Sequence, residues 1–263
     1  MKKQEGGLRL KGVKKKSTDK RPLVSIITVV LNAAKDLEKT ILSLQSQNYD
    51  NIEHIVIDGA SSDGTLAVIK KYSNNIDYWL SENDRGLYDA MNKGAKMAKG
   101  RFLMFINAGD KLFHLDLSNL TKTASCYYYN EELSKIKRNP FTKFFLCRNT
   151  VCHQSIIYDR NDFIPFSLSR PVTADFKQMT KIVKNSIFAD YNNSLVFFKT
   201  PVVSARNNKE SLRQYIRNYN EKIKTVYDDM GLFYLLLALL HYFRNLTRFL
   251  LHKFFRMTFK KNG

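Results

Sequence analysis

Ile55-Val56-Ile57-Asp58-Gly59-Ala60-Ser61-Ser62-Asp63-Gly64-Thr65 decides the reading of this chain. An apolar run of β-branched residues suits a strand buried on both faces. It stops at an aspartate and passes into the polar, glycine-bearing turn that such a strand end favours. The pattern recurs on either side. Residues 23–30, after Pro22, form another apolar strand and end at Leu31-Asn32. Residues 77–80 are strand-like, and Phe102-Leu103-Met104-Phe105-Ile106 runs into Asn107-Ala108-Gly109-Asp110. Between them lie helical spacings: Leu37, Ile41 and Leu44; a helix near 65–72; and a helix over 85–98 with Leu87, Met91, Gly94 and Ala98 on one face and Gly100 as its stop. Strands alternating with helices predict a mostly parallel α/β sheet. Ligands bind such sheets beyond the carboxyl ends of the strands, where Asn32, Asp58, Asp63, Asn107 and Asp110 gather.

The chain has 263 residues, enough for one substantial α/β domain, and its 44% hydrophobic content excludes global disorder. The net charge is +19, and +7 of it lies in residues 1–21 and +6 in residues 231–263. Basicity loaded at the ends suits an anionic surface, either membrane headgroups or nucleic acid, or a solubilising tail. Cys126, Cys147 and Cys152 form an odd set without metal-type spacing, which reads as reduced and cytoplasmic. Residues 1–21 read as a basic flexible arm, with no apolar stretch of a secretory signal behind it.

Four blocks carry a family resemblance: Pro22 to Asn32; Ile57 to Thr65; Glu82-Asn83-Asp84-Arg85-Gly86-Leu87-Tyr88-Asp89-Ala90-Met91-Asn92-Lys93-Gly94; and Phe105 to Asp110. In order and spacing they resemble the family 2 glycosyltransferases, and among them the bacterial enzymes that build surface polysaccharides. The firm resemblance covers residues 22–113. A weaker one continues through Cys152-His153-Gln154 and Thr173-Ala174-Asp175 to about residue 205. The resemblance implies a GT-A fold, a Rossmann-like nucleotide-sugar-binding domain, over residues 22–205. Residues 22–113 would be its donor half and 114–205 its acceptor half. It further implies a nucleotide-diphosphate-sugar donor, UDP-linked, and a divalent metal, Mn²⁺ or Mg²⁺. The acceptor would be a saccharide or lipid-linked saccharide, and the outcome inverting.

Each block also has a chemistry of its own. Asp58, at a strand end, offers an acceptor for an imide N–H of uracil, and by resemblance this acid contacts the base; alternatively it caps the turn. Asp63 reads as structural, ahead of the helix near 65–72. Asp84 and Arg85 open a helix where the planar guanidinium suits phosphate; the alternative is a solvated entry charge. Asp89 and Asn92 lie on the same helix. Asp110 follows an apolar strand and gives a hard oxygen ligand for Mn²⁺ or Mg²⁺. It matches the last acid of the family's Asp-x-Asp motif, whose earlier positions here are Asn107 and Gly109. Asn107 is grouped with the donor-binding residues. Asp175 is the candidate base, behind a Thr173 placed to cap its helix; the alternative is an acid favoured by the helix dipole. His153, beside Gln154, is a candidate contact to acceptor or diphosphate, against the commoner core histidine. The aromatic that the family places after the first strand is replaced by Leu31.

Residues 111–152 predict short strands and loops, residues 175–184 a helix, 194–199 a strand and 208–226 a helix. Residues 206–263 form a helical C-terminal region. Gly231 to Leu240 is too short to span a bilayer. Arg244, Arg248, His252, Arg256 and Lys260 recur at steps of four, away from Leu246, Leu250, Phe254 and Met257. An amphipathic helix with a basic edge suits the surface of an anionic membrane, which would make the enzyme peripheral at the cytoplasmic face; the alternative is a helix docked on the body or on a second subunit. Two other functions compete. A non-catalytic nucleotide-sugar-binding partner is suggested by the reduced metal motif. A nucleic-acid-binding protein is suggested by charge, but no nucleic-acid-reading motif supports it, so no nucleic acid partner is expected.

Overall fold

In a computed structural model, the described residues are 3–259 apart from 118–119, 131–133, 138–139, 141, 148–151, 170–172, 185–189 and 199–211. The chain begins with β1 (Gln4–Gly6) and a 3-10 turn (Leu8–Lys11). The alternating region follows: β2 (Val24–Val30), α1 (Ala34–Gln45), β3 (Ile52–Asp58), α2 (Thr65–Lys71), β4 (Tyr78–Ser81), α3 (Leu87–Met97) and β5 (Phe102–Phe105). Next come β6 (Lys111–His114), β7 (Ala124–Asn130), β8 (Lys135–Lys137), α4 (Lys143–Leu146) and a 3-10 turn at His153–Ser155. The chain continues with β9 (Ile156–Asp159), α5 (Ala174–Lys184), β10 (Asp190–Phe198), α6 (Leu212–Met230) and α7 (Leu232–Phe259). The expected strand over 194–199 starts earlier, at Asp190, and residue 199 of it and residues 208–211 of the expected helix lie outside the described residues.

The sheet order is β1-β4-β3-β2-β5-β9-β7-β10-β6, with β8 on β7. β4, β3, β2 and β5 run parallel, and every residue of β2 and β3 is buried, which their Val- and Ile-rich sequences suit, with Ser25, Thr28, Glu53, His54 and Asp58 buried among them. The chain steps from β2 outward to β3 and β4, then crosses back to β5 on the other side. A switch point therefore lies at the carboxyl end of β2. Beyond β5 the sheet turns mixed: β9 pairs antiparallel with β5 and with β7. β6 pairs with β10, so the expected division at residues 113/114 falls inside a strand of a shared sheet.

α1 buries Leu37, Ile41 and Leu44. α3 buries Ala90, Met91 and Gly94, whereas Leu87 is largely exposed at its start. Gly94 lets α3 lie close on the sheet: a Cβ there would stand 2.3 Å from Ile27 Cγ2. Gly100 is not the stop of α3, which ends at Met97. It is a crossing point, where a Cβ would meet Ser25 N at 2.6 Å and Leu23 O at 2.7 Å.

The amino-terminal segment is a correction to the flexible arm. β1 pairs antiparallel with the edge strand β4. Arg9 binds the buried Glu53, which also accepts from Ser25 Oγ at 2.6 Å and Lys99 N at 2.8 Å. Lys15 Nζ lies 2.9 Å from Asp77, also buried, and Arg21 pairs with Asp50. Basic residues there complete buried acids and close a sheet edge. Composition could not show this because the partners lie 29 to 62 residues further on.

At the other end, α6 and α7 form a hairpin about Gly231, whose φ of 90° only glycine adopts freely. The tilted rings of Tyr219 and Tyr242 meet at 4.8 Å between centres, and Tyr219 Oη accepts from Asn245 Nδ2 at 3.0 Å. α6 runs beside α5 in the same direction: Glu221 meets Thr173, Lys222 covers the Phe176 ring, and Asp229 accepts from Thr180.

His54 gives a stability test. It is buried on β3, 3.0 Å from Thr28 Oγ1, and burial, then Lys15, pushes its pKa from 6.5 down to about 3. The folded pKa lies below the unfolded one, so the neutral ring's contribution is complete above pH 6.5 and is lost as pH falls toward 3. Urea unfolding between pH 4 and 6 should therefore show a slope steeper by up to one proton, ~1.4 kcal/mol per pH unit, than the same measurement on His54→Gln. Parallel profiles for the two proteins would remove His54 as the cause.

Candidate active site

Two loops at the switch point are stitched together by side chains. Asn32, at φ 51°, accepts from Ser62 N through Oδ1 (2.8 Å) and donates its own N–H to Ser61 Oγ (2.8 Å). Asp63 accepts from Thr65 N at 2.9 Å, so it fixes the entry to α2 as the sequence suggested. Thr65 Oγ1 in turn accepts from Ala33 N at 3.1 Å.

Beside these loops lies a cavity of 210 Å³ lined by Val30, Leu31, Gly59, Asp84, Leu87 and Ala90, among others. It is an apolar slot edged by one carboxylate, a shape and chemistry suited to a planar base. Leu31 lines it where the aromatic was missing. Asp58 does not line it. Its carboxylate is fully buried and accepts from Ser61 N and Oγ and from Ser81 Oγ (2.6 Å), which ties β3 to its turn and to β4. Against the expected base contact by Asp58, the short register step to Ser81 and the serine at the third turn position here take up its oxygens. The carboxylate at the slot is that of Asp84, whose Oδ2 stands 3.1 Å from where a Gly59 Cβ would be. Burial raises the Asp84 pKa against the opposing effect of Lys93. Lys93 divides its charge between Asp84 and Glu82, 2.8 Å away. Arg85 is 77% exposed and pairs with Asp89 at 3.0 Å, which lowers the Asp89 pKa. Asn92 does not join the slot; it bridges the N–H and C=O of Phe166 at 2.8 and 2.9 Å.

Across the end of β5, the 107–110 turn is gripped from α1. Thr40 Oγ1 donates to Asp110 O at 2.7 Å and accepts from Gly109 N at 2.9 Å. Asp110 is buried, and its Oδ2 accepts from Asn107 N at 3.0 Å. Asn107 Oδ1 is buried and has no hydrogen-bond partner. Among the described residues no group of three or more His, Cys, Asp or Glu could hold a metal ion. A carboxylate beside an orphaned amide oxygen nevertheless fits a hard cation that takes its other ligands from phosphate and water.

Cys152 and His153 join this turn to the candidate base. The Cys152 thiol is raised by burial and then by the nearby charge of Asp110. His153 Nδ1 lies 3.7 Å from Asp175 Oδ2, and its Nε2 is buried without a partner. Asp175 sits in the first turn of α5, and its Oδ1 accepts from Phe176 N at 2.7 Å. Thr173 does not cap the helix with its hydroxyl, which donates to Glu221 at 3.3 Å. Gln154 is buried away from this group and its Oε1 meets Cys152 Sγ at 3.2 Å. Three residues join the site that sequence reasoning passed over. Tyr88 and Tyr158 have pKa values raised by burial and then by Asp175, and Tyr158 Oη is buried and unpartnered. Lys222, from α6, is pushed down to about 8 by burial, against the pull of Cys147 and Asp175. Tyr88 lies in the Asp84-to-Gly94 block, and Tyr158 is a lone hydroxyl in an apolar strand. Nothing local marks Lys222.

Four parallel strands with a switch point at β2, a sheet that turns mixed beyond β5 and a carboxylate-edged slot beside the switch point define the GT-A fold. Residues 25–125 match the model of the Glycosyl transferase family 2. A PGL/p-HBAD biosynthesis glycosyltransferase of Mycobacterium bovis is 30% identical over 174 residues, 59% of this chain and 67% of that one. An uncharacterized glycosyltransferase of Mycobacterium tuberculosis is 43% identical over 91 residues; the match spans 34% of this chain and about a third (35%) of that relative's length. Among solved structures, TarS 1–349 of S. aureus in complex with UDP-GlcNAc superposes with a TM-score of 0.61 at 16% identity, covering 79% of this chain and 67% of that one. A mannosyltransferase of Pyrobaculum calidifontis in complex with GDP-Man and Mn²⁺ gives 0.59 at 18%, covering 89% and 78%. The chain belongs to the family 2 glycosyltransferases.

The slot makes a direct prediction. In Gly59→Ala the new Cβ would stand 3.1 Å from Asp84 Oδ2 and 3.4 Å from Leu31 Cδ1. Nucleotide binding, measured by calorimetry, should weaken by roughly tenfold while the melting temperature stays put. Unchanged affinity would mean that the slot is not where the base lies.

Proposed function

We propose that the chain transfers a sugar, with inversion, from a UDP-linked donor to a saccharide or lipid-linked saccharide acceptor in the assembly of a bacterial surface polysaccharide. The observation that carries this is the carboxylate-edged slot at the switch point of the sheet. The names of the mycobacterial relative and the UDP-GlcNAc complex of TarS support the class of acceptor pathway and donor. The slot holds the base, with Asp84 rather than Asp58 as its acceptor, and Asp58 fixes the turn. Arg85, exposed and held only by Asp89, swings to the diphosphate. Asn107 and Asp110 would hold Mn²⁺ or Mg²⁺, a reading supported by the orphaned Asn107 oxygen and the Mn²⁺ of the mannosyltransferase complex. When bound, the metal neutralises charge on the leaving diphosphate.

Asp175 is the base. The acceptor hydroxyl oxygen attacks the anomeric carbon from the face opposite the diphosphate. The C–O bond to the diphosphate breaks and its electron pair leaves with the nucleotide. The hydroxyl proton passes to the Asp175 carboxylate. His153 lies against that carboxylate on one side, and its free Nε2 is available to acceptor or diphosphate. Residues 22–205 form the catalytic body, and the helical region after them keeps the enzyme peripheral at the cytoplasmic face of an anionic membrane.

Asp175→Asn should lower transfer by about 10²–10⁴-fold, measured by product chromatography, with nucleotide affinity unchanged. Transfer near the wild-type rate would strip Asp175 of its role. Asp110→Ala should abolish both transfer and donor hydrolysis in Mn²⁺; retention of either would move the metal elsewhere.

A further inference from the structure

Helix α7 carries an apolar stripe with nothing over it among the described residues. Leu232, Phe233, Leu236, Leu240 and Phe243 are each more than half exposed. Their offsets of 0, 1, 4, 8 and 11 fall within an arc of about 100° on a 3.6-residue helix. Ala238 and Tyr242, on the other side, are buried toward α6. The stripe is therefore not an unfinished core: the helix already has a packed face, and this is its second one.

The charge around the stripe selects what covers it. Residues 231–263 contain six Lys or Arg and no Asp or Glu, and Arg244 is exposed at the stripe's flank. A second copy of the same helix would bring like charge against like. A bilayer interface with anionic headgroups supplies both the apolar layer and the opposite charge. No helix among the described residues is long and apolar enough to cross a membrane, so α7 lies along the surface.

The helix register then ties that surface to the site. Tyr219 of α6 meets Tyr242 and Asn245 of α7. Two and three residues on, Glu221 and Lys222 meet Thr173 and Phe176 of α5, which flank Asp175. The Leu240–Phe243 part of the stripe is thus level with Asp175, with only α6 between. At 8–10 Å per packed helix pair, α5 lies within about 20 Å of the α7 axis.

We infer that α7 docks on an anionic bilayer through Leu232, Phe233, Leu236, Leu240 and Phe243, and so holds the Asp175 end of the site within about 20 Å of the membrane surface. There it would meet a saccharide carried on a membrane lipid. Only this last step rests on the proposed transfer reaction; the docking does not.

The test is flotation with vesicles of mixed phosphatidylglycerol and phosphatidylcholine, against phosphatidylcholine alone, with no donor or acceptor present. The full chain should float with the mixed vesicles only. Leu240→Glu combined with Phe243→Glu should weaken that binding at least tenfold, by an order-of-magnitude reckoning of buried apolar side chains. The variant should keep the wild-type melting temperature and donor hydrolysis, because both positions are exposed. Unchanged flotation of the variant overturns the proposal, as does equal binding to uncharged vesicles. So does a wild-type dimer in light scattering that the variant splits, with no vesicle binding. If docking holds but Asp175→Asn still transfers sugar, the reaction reading fails and the docking surface stands.

Discussion

The crossover at β2 is the constraint on which the site depends. Four parallel strands end on the same side of the sheet, and the chain leaves β2 toward β3 but returns to β5 on its far side. The loops after β2, β3 and β5 therefore part at one place instead of packing over one another. The slot beside Leu31 and Gly59 is the gap that results, and the Asn107–Asp110 turn follows β5 across the crossover. Side chains then keep the gap from closing. Asn32 and Ser61 bind the first two loops to each other, and Thr40 holds the third from α1. None of these bonds reaches into the slot, which leaves its apolar walls and the Asp84 carboxylate for a ligand.

The parallel half of the fold was legible because burial on both faces leaves a direct mark. The Val- and Ile-rich segments at 24–30 and 52–58 have few alternatives, and each ends in a polar turn. The mixed half was not. β7 carries Tyr127, Tyr128 and Tyr129 in succession, and besides the adjacent β8 its neighbours in the sheet, β9 and β10, lie 26 residues or more further on. No local pattern encodes such pairings. The candidate site divides in the same way. Asp110 and Asp175 are proposed from motif position, and Cys152 and His153 lie between them. What the residues around them do depends on packing. Asp58 and Asp84 are both acids at strand or helix ends, and only the hydrogen bonds of Ser61 and Ser81 decide which one faces the slot. Lys222 comes onto the Phe176 ring, next to Asp175, across a helix pair that no spacing rule anticipates.

Charge was the most misleading feature of the sequence. The two basic ends look alike in composition and differ in structure. The first is folded onto the sheet, where Arg9 and Lys15 answer buried acids. The second has no acid to answer within 231–263 and shows its apolar side outward. The same excess of Lys and Arg thus stabilises a fold at one end and leaves a field at the other. The difference lies in where the carboxylates are, not in where the cations are.

The Arg9–Glu53 contact bears on what counts as the minimal enzyme. Family resemblance begins at Pro22, and every candidate site residue lies after it. A domain trimmed to start there would keep the slot, the turn and the base intact on paper. It would also strip the guanidinium from a carboxylate that is 3% exposed and lies between β2 and the end of α3. A buried charge left alone in that way costs roughly 3–5 kcal/mol, a large part of a domain's whole stability. The boundary drawn by motifs and the boundary drawn by electrostatics are therefore different lines, and the second begins with β1.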